Sequence, residues 1–261
     1  YKGRNDRVAT KEALVVFGEC KVTAERVAYT LERKLSDRLA AIAAFVPPGT
    51  VIADIGTDHA YLPIALKQTG VISRAIAGDI HEGPYLSARM AVEQAGLTDS
   101  VQVRKGDGLD VVSPGEVDIV VLAGMGGGTM VKILEGRPAV TRTLSGMVLQ
   151  PMIGAALLRR WLNRNHWRIQ KENLLWEDDI LYQIIAVIPG TPLPMEPIME
   201  EIGPVLWEQR HPLLADHLES LLEHTNRVLT LMSVSEEARR SDKYRCLAQQ
   251  RQLLEEKRQC L

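Results

Sequence analysis

Two β-rich runs in the second half of the chain, WRIQKENLLW (167–176) and ILYQIIAVIP (180–189), are separated only by Glu177-Asp178-Asp179. Three residues cannot hold a helical crossover, so these strands must run antiparallel. Upstream, from Leu35 onward, β-rich runs alternate with helical stretches and small-residue turns, the pattern of an α/β unit with a parallel sheet. A parallel sheet that closes on one antiparallel hairpin is a narrow choice of topology.

The individual elements can be placed. Strands are expected at 51–56, 74–80, 101–108, 117–126 and 146–151, seven in all with the hairpin. The run 117–126 is almost wholly apolar, as suits a central strand covered on both faces. A helix opens the unit at 35–46, with Ser36 as N-cap, Leu35, Leu39, Ile42 and Val46 along one stripe, and Pro47-Pro48-Gly49 as its stop. Further helices are expected from about 61, over 83–95 with Gly96 beyond its end, and over 153–164. Three prolines within Gly190-Thr191-Pro192-Leu193-Pro194-Met195-Glu196-Pro197 mark a boundary, after which strand signals stop.

The chain thus divides into an extension at 1–34 with a short helix near 24–31, an α/β domain at 35–189, and a helical region at 190–261. In that last region Leu214, Leu218, Leu221, Thr225, Val228 and Met232 form an a/d-type seam. A second, weaker seam runs through Tyr244, Leu247, Arg251, Leu254, Arg258 and Leu261, so a coiled-coil-like antiparallel helical hairpin is expected. Among the 261 residues no stretch of about 18 is continuously apolar, which excludes a transmembrane helix. The start, Tyr1-Lys2-Gly3-Arg4, lacks a secretory layout. Cys20, Cys246 and Cys260 lack the spacing of a zinc site and read as reduced thiols, so a cytoplasmic protein without a metal is expected.

The chemistry concentrates at the ends of the strands. ADIGTDHAYLP (53–63) joins the first strand to a helix, where small residues let a nucleotide-type cofactor approach the backbone and helix N–H groups. The spacing Asp54-x-Gly56-x-Asp58-x-Ala60 puts an acid and an alanine where a dinucleotide fingerprint wants glycines. A carboxylate there repels a pyrophosphate and suits a ligand carrying an ammonium and a sulfonium, as S-adenosylmethionine does. The same residues also suit a tight turn with Asp58 capping the helix. Asp79 ends the second strand, 25 residues after Asp54, where an acid accepts from ribose hydroxyls. Asp107, in Gly106-Asp107-Gly108 after the third strand, can read an exocyclic amine. AGMGGGTM (123–130) follows the fourth strand. Its glycines Gly126 to Gly128 keep side chains clear of a large substrate, or simply form a flexible loop. Gln150-Pro151, one strand over, is expected to open on the same crevice, with Gln150 at a base edge.

These segments, with LSDRL, LQP and the terminal WEDDILYQI, resemble the TrmK family of bacterial tRNA (adenine-N1)-methyltransferases, which modify adenine 22; the likeness runs from about Leu35 into the tail. It implies a Rossmann-like class I methyltransferase domain, a fold whose parallel sheet ends in such a hairpin, followed by a helical C-terminal domain. It also implies S-adenosylmethionine as cofactor. Asp54, Gly56, Asp58 and His59 would shape its methionine end, Asp79 would take the ribose, and Asp107 with Gly108 the adenine. Ala123, Gly124 and Met125 would line the junction with the target base, beside Gly126. Residues 1–34 fall outside the likeness.

Adenine N1 carries a lone pair and can attack the methyl group without prior deprotonation, so orientation is the main task. If a proton must be handled, Asp58 and His59 are the nearest groups, although His59 also suits a capping role. The base has to be extruded from folded RNA, with Tyr61 as a stacking face or else as a packed aromatic. No Asn-Pro-Pro-Tyr or Asp-Pro-Pro-Tyr is present to hold an exocyclic amine. The net charge of −2 conceals asymmetry: residues 172–223 hold eleven acids and one arginine, while 227–261 hold eight Lys+Arg against five Asp+Glu. Arg159, Arg160, Arg164, Arg168 and Lys171 form a further basic cluster, either a solvated face or a phosphate contact for tRNA. A methyltransferase for another RNA base or substrate, and a non-catalytic RNA-binding homologue, are the other readings. No protein partner is called for.

Overall fold

A computed structural model describes residues 35–192 and 194–261; the extension at 1–34, with its expected helix and Cys20, lies outside the described residues. The first unit runs α1 (Asp37–Ala43), β1 (Val51–Ile55), α2 (Tyr61–Gln68), β2 (Arg74–Asp79), α3 (Glu82–Gln94), β3 (Val101–Lys105), β4 (Ile119–Met125), α4 (Gly127–Gly136), α5 (Pro138–Thr141), β5 (Gly146–Pro151), α6 (Ala155–Arg164), β6 (Trp167–Glu177) and β7 (Ile180–Pro189). Ser36 caps α1 as expected, its hydroxyl accepting from Leu39 N. The third strand is shorter than its sequence suggests, because Gly108–Val111 turns into a 3-10 helix.

The sheet has seven strands in the order β3-β2-β1-β4-β5-β7-β6. Strands β1 to β5 are parallel, and β7 pairs antiparallel with both β5 and β6. Strand β7 therefore inserts between β5 and β6, and β6 is left at the edge running in the same direction as β5. The ends of β1, β2, β4, β5 and β6 consequently share one rim of the sheet. The order reverses between β1 and β4, which opens the crevice where such sheets bind ligands. Strand β4 is covered on both faces: Val120 and Leu122 join the cluster with Met130, Leu158 and Ile185, and Val121 joins Ile52, Leu66 and Val148.

After Pro189 the chain is helical: α7 (Pro197–Ile202), α8 (Pro204–Glu208), α9 (Leu214–Ser233), α10 (Glu236–Arg240) and α11 (Asp242–Gln259). Helices α9 and α11 form an antiparallel hairpin, since Arg258 Nη1 meets Glu219 Oε2 at 2.7 Å and Arg210 Nη1 donates to the carbonyl of Cys260 at 2.8 Å. The buried stripe of α9 is Leu214, His217, Leu218, Leu222, Thr225 and Leu229, so the expected Leu221, Val228 and Met232 are only half-buried at its margin. On α11 Leu254 alone is fully buried and Arg251, Arg258 and Leu261 are exposed.

The junction between sheet and tail overturns one expectation. Arg159 is wholly buried. Its Nε meets Glu172 Oε1 at 2.8 Å, Nη1 donates to the carbonyls of Glu200 and Glu201, and Nη2 donates to Gln183 Oε1. Glu172 Oε2 in turn accepts from the N–H groups of Val205 and Leu206. Arg159 thus binds the tail to the sheet and cannot reach a phosphate. Arg160 is half exposed but already paired with Glu200 at 2.6 Å. Arg164 is exposed at the far end of α6, near the start of β6, on the opposite rim from the crevice.

Candidate active site

The strand ends converge as expected. Gly56, Asp79, Asp107, Gly108, Ala123, Gly124 and Met125 line one cleft of ≈ 650 Å³ at the β1/β4 switch. At its floor Gly56 has φ +78°, and a Cβ there would lie 3.1 Å from Met125 Cε, so only glycine leaves this wall open without strain. The following turn holds Asp58 and Ala60 in the left-handed region, at φ 53° and 56°. Non-glycine residues adopt that conformation at a cost and cluster at functional loops. Ala60 occupies the N-cap of α2 with no side-chain bond, so Asp58 does not cap the helix.

Asp79 is 7% exposed and accepts from His81 N at 2.9 Å and from Asp58 N at 3.4 Å, one bond on each oxygen. Each oxygen keeps a lone pair for a ligand. Asp54 is buried behind the turn and accepts from the Thr57 hydroxyl at 2.6 Å. Burial raises its pKa from 3.8 to about 6, the Thr57 bond opposes the rise, and nearby Asp79 adds to it. Asp107 is exposed at the mouth.

Asp58, His59 and Tyr61 stand outside the cleft lining, on its exposed shoulder. The side chains of Asp58 and His59 are 68% and 45% exposed, with Asp58 Oδ1 and His59 Nε2 3.7 Å apart. The rings of His59 and Tyr61 stack at 5.2 Å and 15°. Tyr61 is 54% exposed, which removes the reading of a packed aromatic.

Gln150 departs from its expected role. It is completely buried, and its Oε1 accepts from Gly124 N and from Arg38 Nη1, both at 3.0 Å. Its amide therefore holds the end of β4 in place and does not read a base edge. Arg38, within the LSDRL segment, supports the site from behind and carries no sequence signal of that role. It lies over the Tyr182 ring, pairs with Glu177, and would meet a Cβ on Gly124 at 3.8 Å. Ile80, directly after Asp79, also lines the cleft and is 49% exposed, a flat apolar surface for a purine. Lys132 and Arg137 of the opposite wall carried no sequence signal, and Arg137 is paired with Asp110 at 3.0 Å.

The methyltransferase-domain family matches residues 35–185. The tRNA (adenine(22)-N(1))-methyltransferase of Bacillus subtilis (strain 168) is 35% identical over 234 residues, covering 86% of this chain and 97% of its own. The crystal structure of the B. subtilis m1A22 tRNA methyltransferase TrmK superposes with TM-score 0.78 at 35% identity, over 86% and 98% of the two chains. Streptococcus pneumoniae Sp1610, in complex with S-adenosyl-L-methionine, gives TM-score 0.76 at 31% identity, over 85% and 99%. With the family matched across most of the α/β unit and the Bacillus relative matched nearly end to end, the chain belongs to the TrmK family of tRNA (adenine(22)-N1)-methyltransferases.

Proposed function

We propose that this enzyme transfers a methyl group from S-adenosylmethionine to N1 of an adenine in tRNA, the adenine at position 22. The observation that carries the reading is the cleft at the β1/β4 switch, whose acids keep unspent acceptor capacity and whose Gly56 wall admits no side chain. Such a cleft fits an extended ligand with ribose hydroxyls and positive charge.

Asp79 would hold the ribose, Ile80 and Asp107 with Gly108 the adenine, and the turn from Asp54 to His59 the methionine end. When bound, S-adenosylmethionine supplies an electrophilic methyl group on a sulfonium. Ala123, Gly124 and Met125 would border the reacting centre, with Gly124 fixed by Gln150 and, through Gln150, by Arg38. Because adenine N1 attacks with its own lone pair, the residues here orient the base and exclude water, and no side chain has to remove a proton first. Asp58 on the shoulder favours the positive charge that develops on the methylated base. Tyr61, stacked on His59, offers a face to the extruded adenine.

Transfer RNA is the partner this reading requires, in the cytoplasm. Its phosphates would meet the exposed basic residues of the helical tail, and Arg164 only at a distance from the chemistry. Among the described residues no helix is long and apolar enough to cross a membrane. The test is incubation of unmodified tRNA transcripts with labelled donor, followed by mapping of the methylated nucleotide. Label at N1 of adenine 22 is expected. No label in RNA overturns the reading.

A further inference from the structure

Beside Gly126, which follows the cleft residues Gly124 and Met125, the loop after β5 carries a largely exposed isoleucine. Ile153 is 76% exposed and Met152 beside it 43%. The loop itself is fixed. Met152 N donates to the carbonyl of Met125 at 2.9 Å, and Gly127 N donates to the carbonyl of Ile153 at 2.8 Å. The two loops touch through their backbones: a Cβ on Gly127 would lie 2.3 Å from the carbonyl oxygen of Gly154. A Cβ on Gly126 would lie 3.5 Å from Ile153 Cγ1. The register of β4 on β5 shifts between Ala123 and Met125, at the same place. Irregularities of this kind re-aim side chains next to active sites.

An exposed β-branched residue on a rigid pedestal costs hydration and gains nothing in the free protein. A nucleobase drawn out of its stack loses apolar contact on both faces and needs a replacement. We propose that Ile153, supported by Met152, is a substrate-contacting residue: the apolar surface against which the extruded target adenine is held beside Gly124 to Gly126. The proposal rests on the methyl-transfer reading above and assigns its base-holding contact.

The test is a set of single variants of the full chain, assayed on unmodified tRNA transcript, with donor affinity measured by calorimetry. Ile153→Ser is expected to lower kcat/KM for tRNA about tenfold, as loss of one buried aliphatic contact implies. Its donor affinity and melting temperature are expected to stay at wild-type values. Ile153→Leu is expected to retain most of the activity. Met90→Ser, which removes a 55% exposed apolar side chain from α3, serves as the control and is expected to change nothing. A second readout needs no turnover: tRNA carrying 2-aminopurine at the target position should brighten on binding the wild type and brighten less with Ile153→Ser. Wild-type rates for Ile153→Ser, or an equal loss in Met90→Ser, overturn the inference. A wild-type protein that leaves tRNA unlabelled fails the methyl-transfer reading instead, and the two failures are therefore distinct.

Discussion

The sheet–tail junction and the crevice at the β1/β4 switch both take charged groups out of water, but they differ in what remains unspent. At the junction Arg159 uses its Nε, Nη1 and Nη2 on Glu172, Gln183 and the carbonyls of Glu200 and Glu201, and Glu172 is closed off by two backbone N–H groups. In the crevice Asp79 has one backbone donor on each oxygen, and Asp107 is an exposed residue of the lining. A saturated polar cluster fixes geometry, whereas an unsaturated one is built to receive something.

The largest effect that tests this difference is at the junction. Arg159→Met leaves Glu172 buried without its counter-charge, and the expected loss of stability is about 3–5 kcal/mol in urea unfolding. Pairing it with Glu172→Leu removes the stranded charge but leaves the Val205 and Leu206 N–H groups without an acceptor, so it should recover only part of that loss. If the single change is mild, the junction is not the saturated anchor described.

In the crevice the same kind of change should spare the fold and strike the ligand. Asp79→Ala removes the acceptor for two ribose hydroxyls, each bond to a charged group contributing about 1.5 kcal/mol. Donor affinity should fall about a hundredfold in calorimetry, a larger change than in melting temperature. Equal donor affinity in the variant would remove Asp79 from the cofactor site.

Asp54 gives a third, pH-dependent comparison. Its pKa is raised from 3.8 to about 6, so the native state holds the proton more tightly than the unfolded chain does. The contribution of this group to stability is therefore full below about pH 4 and declines as pH rises through 6. Asp54→Asn should be more stable than wild type near pH 8, with the gap closing towards pH 4. Donor binding runs the other way, because a cationic methionine end favours the ionised carboxylate. Affinity should weaken by up to about tenfold per pH unit below 6, and Asp54→Asn should flatten that dependence. A pH-independent affinity in the wild type would place the positive charge of the ligand elsewhere.

How far the sequence reveals these features depends on how local they are. The hairpin, the parallel strands and the acids at their ends follow from spacing within a few residues, so Asp79 and Asp107 could be assigned to one rim before any coordinates. Gln150 could be placed at that rim but not given its bonds, because Arg38 lies 112 residues away in the chain. Arg159 reads as a member of a basic surface because it opens a run of five cations without an acid, and its counter-charge Glu172 sits on the next strand. Tyr61 and Ile153 were visible as residues, but exposure on a rigid loop is a property of packing, which periodicity does not carry.

The smallest expected effect isolates burial as the deciding variable. Arg160 follows Arg159 on the same helix and also pairs with a glutamate, its Nε donating to Glu200 Oε2 at 2.8 Å, but it is 48% exposed. The guanidinium is half in water, so the attraction is screened, while Glu200 is only 18% exposed and loses a partner; Arg160→Gln should therefore cost about 1 kcal/mol, well below Arg159→Met, and less in high salt. Because Glu200 already neutralises this guanidinium beside the tail, the same change should leave tRNA affinity within about twofold. A loss comparable to that of Arg159→Met would mean that the pairs act through a shared network across the junction. A large loss of tRNA affinity alone would mean that Arg160 leaves Glu200 to meet a phosphate, and that the RNA surface extends from the crevice down the side of α6.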